Sequence, residues 1–335
     1  MTRATSYDVA RLAGVSQSAV SRVFRPGASV SRDARARVEA AARALNYAPS
    51  QIARSLISRR SRMIGVIVTQ LTMRNYPEAL QMLGTEIQSS GNRMLVVMVP
   101  NDDGAAAAAA DLLGYHVDGI VSSAFLPDET LEVCASHKAP VVLFNRTPRN
   151  ALASSVCCDH ADAMELLVAH LATAGIGRVA YVAGPERAPV SNDRLLGLRN
   201  ALLARGKQIG RVVHSDYSYE GGRAVAAELA AGPEKPDLVV CANDAMGLGV
   251  MDGLRFDLNL RVPGDVAVAG FDDVLQSSWP TYGLTTLRQP LQRMAQAAMR
   301  MLMEQIGGQA GAGERRLLPA ELKIRNSTAA RVDSN

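Results

Sequence analysis

The hydrophobic pattern of the chain changes character near residue 62. Before it, apolar positions recur at helical spacing in short stretches; beyond it, short continuous apolar runs alternate with amphipathic ones. In the first part, Val9, Leu12 and Ala13 share one face of a short helix that Ser6 is placed to cap. Gly14 follows, where a turn between two helices needs permissive backbone angles. Ser16 opens a second helix with Val20, Val23 and Phe24 on one face and Gln17, Ser18, Ser21 and Arg22 on the other. Ser31 opens a third, whose Val38, Ala41, Ala42 and Leu45 close a small core. Asn46-Tyr47-Ala48-Pro49 ends it, because the residue before proline disfavours helical angles. Two short helices with an apolar seam and a polar second helix make a helix-turn-helix, with the second helix fit to enter a DNA major groove. An ordinary helical hairpin is the alternative.

From Met63 the periods are those of an α/β domain. Met63–Thr69 (MIGVIVT) reads as a parallel strand covered on both faces. Helix 77–90, strand 94–99, helix 104–113, strand 119–122, helix 128–137 and strand 141–144 follow. The alanine run at 105–110 is a plain helix, since alanine is the best helix former. The pattern then restarts: helix 160–174, strand 179–183, helix 191–204, strand 211–214, helix 220–231, strand 238–242, helix 244–256 and strand 266–269. This alternation predicts two doubly wound lobes in tandem with a cleft between them. Ligands in such sheets bind beyond the carboxyl ends of the strands.

Composition narrows the class. With 335 residues, 48% of them hydrophobic, the chain has room for two or three cores at roughly 100–200 residues per domain. No apolar run approaches the roughly 18 residues of a membrane span, and the start MTRATSYD has no apolar signal segment, so the cytoplasm is the expected location. Cys134, Cys157, Cys158 and Cys241 match no zinc template and read as free thiols of a reducing compartment. Residues 1–62 carry twelve arginines, no lysine and three acids, a net +9, whereas residues 63–335 carry 24 bases and 29 acids, a net −5. A basic head on a slightly acidic body is the footprint of a protein that sets one end on phosphates. In the head, Arg32, Arg35, Arg37 and Arg43 can serve as phosphate contacts, which position without specifying sequence. No nucleophile elbow, phosphate loop or H-E-x-x-H helix is present, and the five histidines lack ligand spacing. No catalytic residue, metal site or cofactor is therefore expected.

Residues 49–57, PSQIARSLI, begin with a proline that suits a first helical turn. Two turns of helix do not stand alone in water. The stretch is either a linker or a helix that folds on a partner.

The segment DVARLAGVSQSAVSRVF closely resembles the opening motif of the lactose-repressor (LacI/GalR) family of bacterial transcription regulators. Ser191-Asn192-Asp193-Arg194 with Gly197, Ala242-Asn243-Asp244, Gly270-Phe271-Asp272, and Leu284-Thr285-Thr286 with Gln289-Pro290 resemble body motifs of the same family, in order. The resemblance implies an N-terminal all-α helix-turn-helix domain (1–48), a hinge helix and linker (49–62) and an α/β body of two doubly wound, periplasmic-binding-protein-like lobes (63–335). Three crossings between lobes are implied. The first lobe would hold about 63–157 plus 288–315, and the second about 158–287 plus 316–330.

The function implied is a ligand-responsive transcriptional regulator, a repressor that binds a palindromic DNA operator as a homodimer. Tyr7, Ser16, Gln17, Ser18, Ser21, Arg22, Asn46 and Tyr47 would contact DNA. In the hinge, Ala53 would leave room for a paired helix and Leu56 would wedge between base steps in the minor groove, unless it is a linker leucine packed on the body. The effector residues implied are Ser123, Asn145, Arg194, Tyr217, Asn243 and Asp272. Arg194 brings a planar fork of donors, Asp272 a pure acceptor, and Tyr217 a ring to stack on the ligand. The set suits a small polyhydroxylated or carboxylated metabolite, such as a sugar or sugar acid; a structural Arg194–Asp272 ion pair across the cleft mouth is the alternative. Ala19, Phe24-Arg25-Pro26-Gly27, Asn75-Tyr76-Pro77 and Trp279-Pro280-Thr281-Tyr282 depart from common family forms, so effector and operator cannot be borrowed. No leucine heptad follows Arg331, which favours a dimer. An exported solute-binding protein without a DNA role and a Rossmann-type enzyme are the competing readings. The missing signal segment and the basic head weigh against the first, and the incomplete dinucleotide fingerprint against the second.

Overall fold

The computed structural model describes residues 4–24, 28–48, 60–148, 150–172, 177–186, 188–231 and 235–329. Two compact units divide the chain, Met1–Ser61 and Arg62–Asn335. The hinge residues Ala53 and Leu56 lie outside the described residues.

The first unit is three helices around a core of Val9, Ala10, Ala13, Val20, Val23, Val38, Ala41 and Ala42. Helix α1 is Ser6–Ala13, α2 is Gln17–Val23 and α3 is Arg32–Ala44. Thr5, rather than Ser6, caps α1, and it forms a reciprocal box with Asp8. Ser6 is the first helical residue, and its hydroxyl accepts from Gln17 Nε2 at 3.3 Å. Leu12 does not join the core; it is 57% exposed, and Ala10 takes the inward place instead. Ser16 and Ser31 cap α2 and α3 as their positions predict. Gly14 turns the chain in the left-handed region, φ 64°.

The second unit holds two six-stranded sheets. In the first, β1 (Met63–Thr69), β2 (Arg93–Val99), β3 (Gly119–Ser122), β4 (Val141–Phe144), β5 (Ser154–Cys158) and β11 (Arg315–Leu318) run parallel in the order β11-β5-β4-β3-β1-β2. In the second, β6 (Val179–Ala183), β7 (Ile209–His214), β8 (Leu238–Cys241), β9 (Ala267–Asp272), β10 (Thr285–Arg288) and β12 (Glu321–Lys323) lie in the order β12-β10-β9-β8-β6-β7. Only β12 is antiparallel there. The central strands are buried along their length, with only Met63 at the start of β1 half-buried, as strands covered by helices on both faces must be.

In the first lobe, α4 (Gln70–Asn75), α5 (Glu78–Ser89), α6 (Ala105–Gly114) and α7 (Asp128–Ser136) connect the strands. Helices α8 (His160–Ala172), α9 (Pro189–Leu203), α10 (Tyr219–Ala230) and α11 (Asp244–Asp252) do so in the second. Helix α12 (Leu291–Ile306) returns to pack on α5 and on β3, β4 and β5 of the first sheet. Periodicity does not predict β5, β10 or β11, whose polar openings hide them, nor the short α4. The crossings fall after Cys158, Arg288 and Leu318, so β11 stays in the first sheet three residues beyond the sequence-placed limit of 315.

Helices α10 and α11 pack unusually close, and glycine makes this possible. A Cβ at Gly249 would lie 2.0 Å from the Tyr219 carbonyl oxygen, backbone that cannot step aside. Gly249→Ala should therefore destabilise the body by about 1–3 kcal/mol or more through overpacking. Gly114→Ala, at the end of α6 with nothing within 4 Å of the new Cβ, should be neutral or stabilising. Urea denaturation of both variants checks the contrast; equal midpoints would refute it.

Candidate nucleic-acid interface and interlobe cavity

The first unit presents α2 with a polar outer face. Ser16, Ser18 and Arg22 are exposed and Gln17 and Ser21 half-buried. The Ser16 and Ser18 hydroxyls lie 2.9 Å apart, and Arg22 Nε reaches back to the Ser18 carbonyl at 3.4 Å. Tyr7 is 70% exposed, and Asn46 is exposed with φ 47°. Tyr47 is half-buried, with its ring 6.0 Å from that of Phe24, so part of it belongs to the core. The arginines of α3 divide. Arg35 donates to the Val23 carbonyl and Arg37 to the Ala13 carbonyl, so they close the ends of α2 and α1, while Arg32 and Arg43 stay exposed.

A cavity of about 480 Å³ opens between the lobes of the second unit. Its wall comes from residues at or just past strand ends of both sheets. These are Thr69 on β1, residues 100–103 after β2, Asn145 and Arg146 after β4, Pro185 after β6, Tyr217 after β7, Asn243 after β8 and Asp272 on β9. Five of the six sequence-predicted effector residues thus meet at one place. Ser123 does not line the cavity. It sits behind the wall, where its Oγ accepts from the Thr69 amide at 3.3 Å and from Thr72 Oγ1 at 3.1 Å, fixing the turn from β1 into α4. A second cavity of about 720 Å³, bounded by the crossings at 288–293 and 319–321, shares Asn75, Tyr76 and Asp272 with the first.

Arg194 is the centre of the second-lobe wall. Its Nη2 lies 3.2 Å from Asp272 Oδ1, its Nη1 donates to the Ala242 carbonyl, and its guanidinium carbon stands 3.7 Å above the Phe271 ring. The His160 ring meets Phe271 edge-on at 5.4 Å, and burial, with Arg194 nearby, holds His160 well below its ordinary range and neutral. Gln289 Nε2 adds a 2.7 Å bond to the same Asp272 oxygen. Arg194 and Asp272 do pair, but within the second lobe and at the floor of the cavity, not across its mouth. Behind them, the buried Asp244 accepts from Thr286 Oγ1, Ser277 Oγ and the Val274 amide, which pins the loop after β9.

Asn243 proves to be a builder more than a free contact. Its Oδ1 accepts from the Met246 amide and caps α11, and its Nδ2 donates to the Tyr217 carbonyl at 3.0 Å. That bond holds Tyr217 at φ 65°, with its ring over Gly184, where a Cβ would lie 2.2 Å from the ring. Asn145 at φ 56° and Asp272 at φ 118° are also in the left-handed half of backbone space. Such conformations cost about 1–3 kcal/mol each and persist where surrounding contacts over-determine them. Sequence reasoning passed over Asn75, Tyr76, Arg146 and Gln289. Asn75 and Tyr76 fall in a segment that departs from family form, and Gln289 in one of its motifs. Asn75 Oδ1, Asn145 Oδ1, Arg194 Nε and Gln289 Oε1 are buried without a hydrogen-bond partner in the protein. A polar ligand would meet that demand.

With this geometry in hand, comparison with known proteins is specific. Residues 5–50 match the family described as bacterial regulatory proteins, lacI family, and residues 168–328 match the periplasmic binding protein-like domain. The chain is 32% identical to the ribose operon repressor of Escherichia coli (strain K12) over 90% of its own length and 93% of that protein. It is 31% identical to the lactose operon repressor of the same organism over 98% of its length and 92% of that protein. The solved lac repressor dimer bound to operator and the anti-inducer ONPF superposes with a TM-score of 0.89 at 29% identity, covering 98% of this chain and all of that one.

Burial pushes the Asp272 carboxyl up to about 7, with Arg194 pulling the other way. An unfolded aspartate titrates near 3.9. Between those values the folded state keeps a proton that the unfolded chain has lost. The group's stabilising effect is therefore complete below about pH 4 and is lost as pH rises through about 7. Asp272→Asn removes this dependence. The melting temperature of the wild type relative to Asp272→Asn should rise as pH falls from about 8 to 5; a difference that stays constant would contradict the assignment.

Proposed function

The chain belongs to the lacI family of bacterial regulatory proteins, and on that footing we propose that it is a cytoplasmic repressor whose grip on a palindromic operator is set by a small polar metabolite, such as a sugar or sugar acid. One observation carries the effector half: Asn145, Arg194, Tyr217, Asn243 and Asp272, scattered over 128 positions of sequence, converge on one interlobe cavity. Arg194, Tyr217, Asp272 and Asn145 contact the ligand, Asn243 positions Tyr217, and Ser123 supports the wall.

On the DNA side, Gln17, Ser18, Ser21 and Arg22 read base edges, and Tyr7, Ser16, Asn46 and Tyr47 hold the phosphates and the helix ends in register. Ala53 and Leu56 serve the minor groove through a paired hinge. A homodimer supplies both half-sites. Exposed Val96 and Met98 on edge strand β2 and exposed Leu275 and Trp279 beyond β9 offer it apolar surface. Among the described residues no helix is long and apolar enough to cross a membrane. No catalytic step or metal is assigned, and no cluster of metal-ligating side chains occurs among the described residues.

Effector and operator then act on one equilibrium. A ligand that favours one interlobe angle shifts DNA affinity only by its differential affinity for the two states, and DNA shifts ligand affinity by the same factor.

Two experiments test the proposal. Replacing Gln17 and Ser18 with Ala should weaken binding to an operator selected from a random duplex pool by about 1–3 kcal/mol per lost base contact, with little change on unrelated DNA. Equal losses on both would remove base reading from α2. Arg194→Ala should keep operator binding but lose its modulation by a metabolite identified by thermal-shift screening, where ligand at about 100 times its Kd adds roughly 2.7 kcal/mol. A normal response in that variant would move the effector elsewhere.

A further inference from the structure

One guanidinium in the cavity wall has no carboxylate. Arg146 directly follows Asn145 past the end of β4 and is half-buried. Its Nη1 donates to the Asn145 carbonyl at 3.0 Å, a neutral partner. Among the described residues, the ion pairs of this unit engage Arg178, Arg194, Arg205, Arg223, Arg261, Arg288, Arg316 and Arg325, and Arg146 has none. A half-buried cation that lines a cavity without an ion pair offers a seat to an anion.

The neighbours locate that seat. Tyr217 comes from the other lobe, and burial raises its hydroxyl while Arg194, a hydrogen bond with Ser191 and then Arg146 pull it back toward the ionised form. Both guanidiniums therefore act on the same corner of the cavity. Arg194 itself lines that cavity. The acids of the wall stand elsewhere. Asp102 and Asp103 follow β2, and the order β4-β3-β1-β2 sets them three strand spacings from Arg146, roughly 14 Å at about 4.8 Å per strand. Asp102 is partly engaged already, since its Oδ1 accepts from the Phe125 amide at 3.1 Å. Asp272, the remaining acid, is held by Arg194 and Gln289. The cavity is thus polarised along the first sheet, positive past β4 and negative past β2, with the amide oxygens of Asn75 and Asn145 unpartnered in its wall.

We propose that Arg146 selects an anionic effector: a carboxylate or phosphate at one end of a hydroxylated ligand seats against Arg146 beside Tyr217, and its hydroxyl groups extend toward the Asp102–Asp103 end. The proposal rests on the reading of the cavity as the effector site. A neutral sugar of the same length fills the space but leaves Arg146 without its counter-charge. The planar fork favours an oxyanion with two exposed oxygens, so lysine is an incomplete replacement.

The test uses the full chain and calorimetric or thermal-shift titration at constant ionic strength set with chloride. The probes are D-gluconate, its neutral counterpart D-glucitol, and inorganic phosphate. Gluconate or phosphate should bind the wild type saturably and at least tenfold more tightly than glucitol, and which of the two wins identifies the oxyanion. Arg146→Gln should lose at least tenfold toward the anion and leave glucitol unchanged, and Arg146→Lys should recover part of the loss. Equal anion binding by wild type and Arg146→Gln overturns the inference, as does the absence of any anion preference in the wild type. Arg194→Ala, with its circular dichroism and melting transition confirming a folded body, separates the premise from the inference. If it abolishes glucitol binding while Arg146→Gln alters nothing, the cavity is the effector site and Arg146 is not its selector. If Arg194→Ala leaves binding of every probe intact, the cavity reading itself fails.

Discussion

The second lobe is built around the buried pair of Arg194 and Asp272. Arg194 reaches from α9 to the end of β9, where Asp272 Oδ1 and the Ala242 carbonyl satisfy a guanidinium that the interior could not otherwise hold. The pair fixes more than itself. The guanidinium covers Phe271, engages the Ala242 carbonyl at the end of β8, and shares Asp272 with Gln289, which stands on the second crossing between lobes. Two strand ends and one crossing are thereby tied to a single cation. The packing that holds Arg194 leaves its Nε buried without a partner.

Backbone strain is spent in the same few places. Asn145, Tyr217 and Asp272 all take conformations that an L side chain adopts reluctantly, and each is held by contacts from other elements. The Asn145 amide donates to the Tyr76 hydroxyl, Asn243 holds the Tyr217 carbonyl, and Gln289 holds Asp272. Cavity-lining side chains are thus aimed by a layer of polar groups whose own bonds are spent inside the protein. That layer holds the floor of the cavity in one arrangement.

Much of this was legible in the chain. Continuous apolar runs such as MIGVIVT announce covered parallel strands, and strand ends are where ligands sit in such sheets, so the pattern puts Asn145, Asn243 and Asp272 just past strands, while the family resemblance is what singles them out. The helix caps at Ser16 and Ser31 were equally plain, because a hydroxyl before an apolar-periodic stretch has few other uses. What escaped was whatever depends on a partner far away in sequence. Strand β11 reads RRLL and becomes a strand only because β5 offers it an edge. Arg35 and Arg37 look like phosphate contacts until the ends of α2 and α1 arrive beside them. Asn243 looks like a ligand contact until the Tyr217 carbonyl takes its amide. Ser123 and Asn145 follow neighbouring strands in similar fashion, yet one is walled in by Thr69 and Thr72 and the other is not.

The threefold crossing has a consequence for synthesis. The first sheet takes its edge strand from residues 315–318 and one of its covering helices from 291–306, so it remains open until almost the whole chain has left the ribosome. Until then the flank of β5 is an unpaired edge of the kind that invites wrong partners. The second sheet closes later still, when residues 321–323 lay the antiparallel strand beside β10. Neither lobe is a contiguous piece of the gene. A chain that stops before residue 315 leaves two unfinished sheets at once, not one sound lobe and one missing.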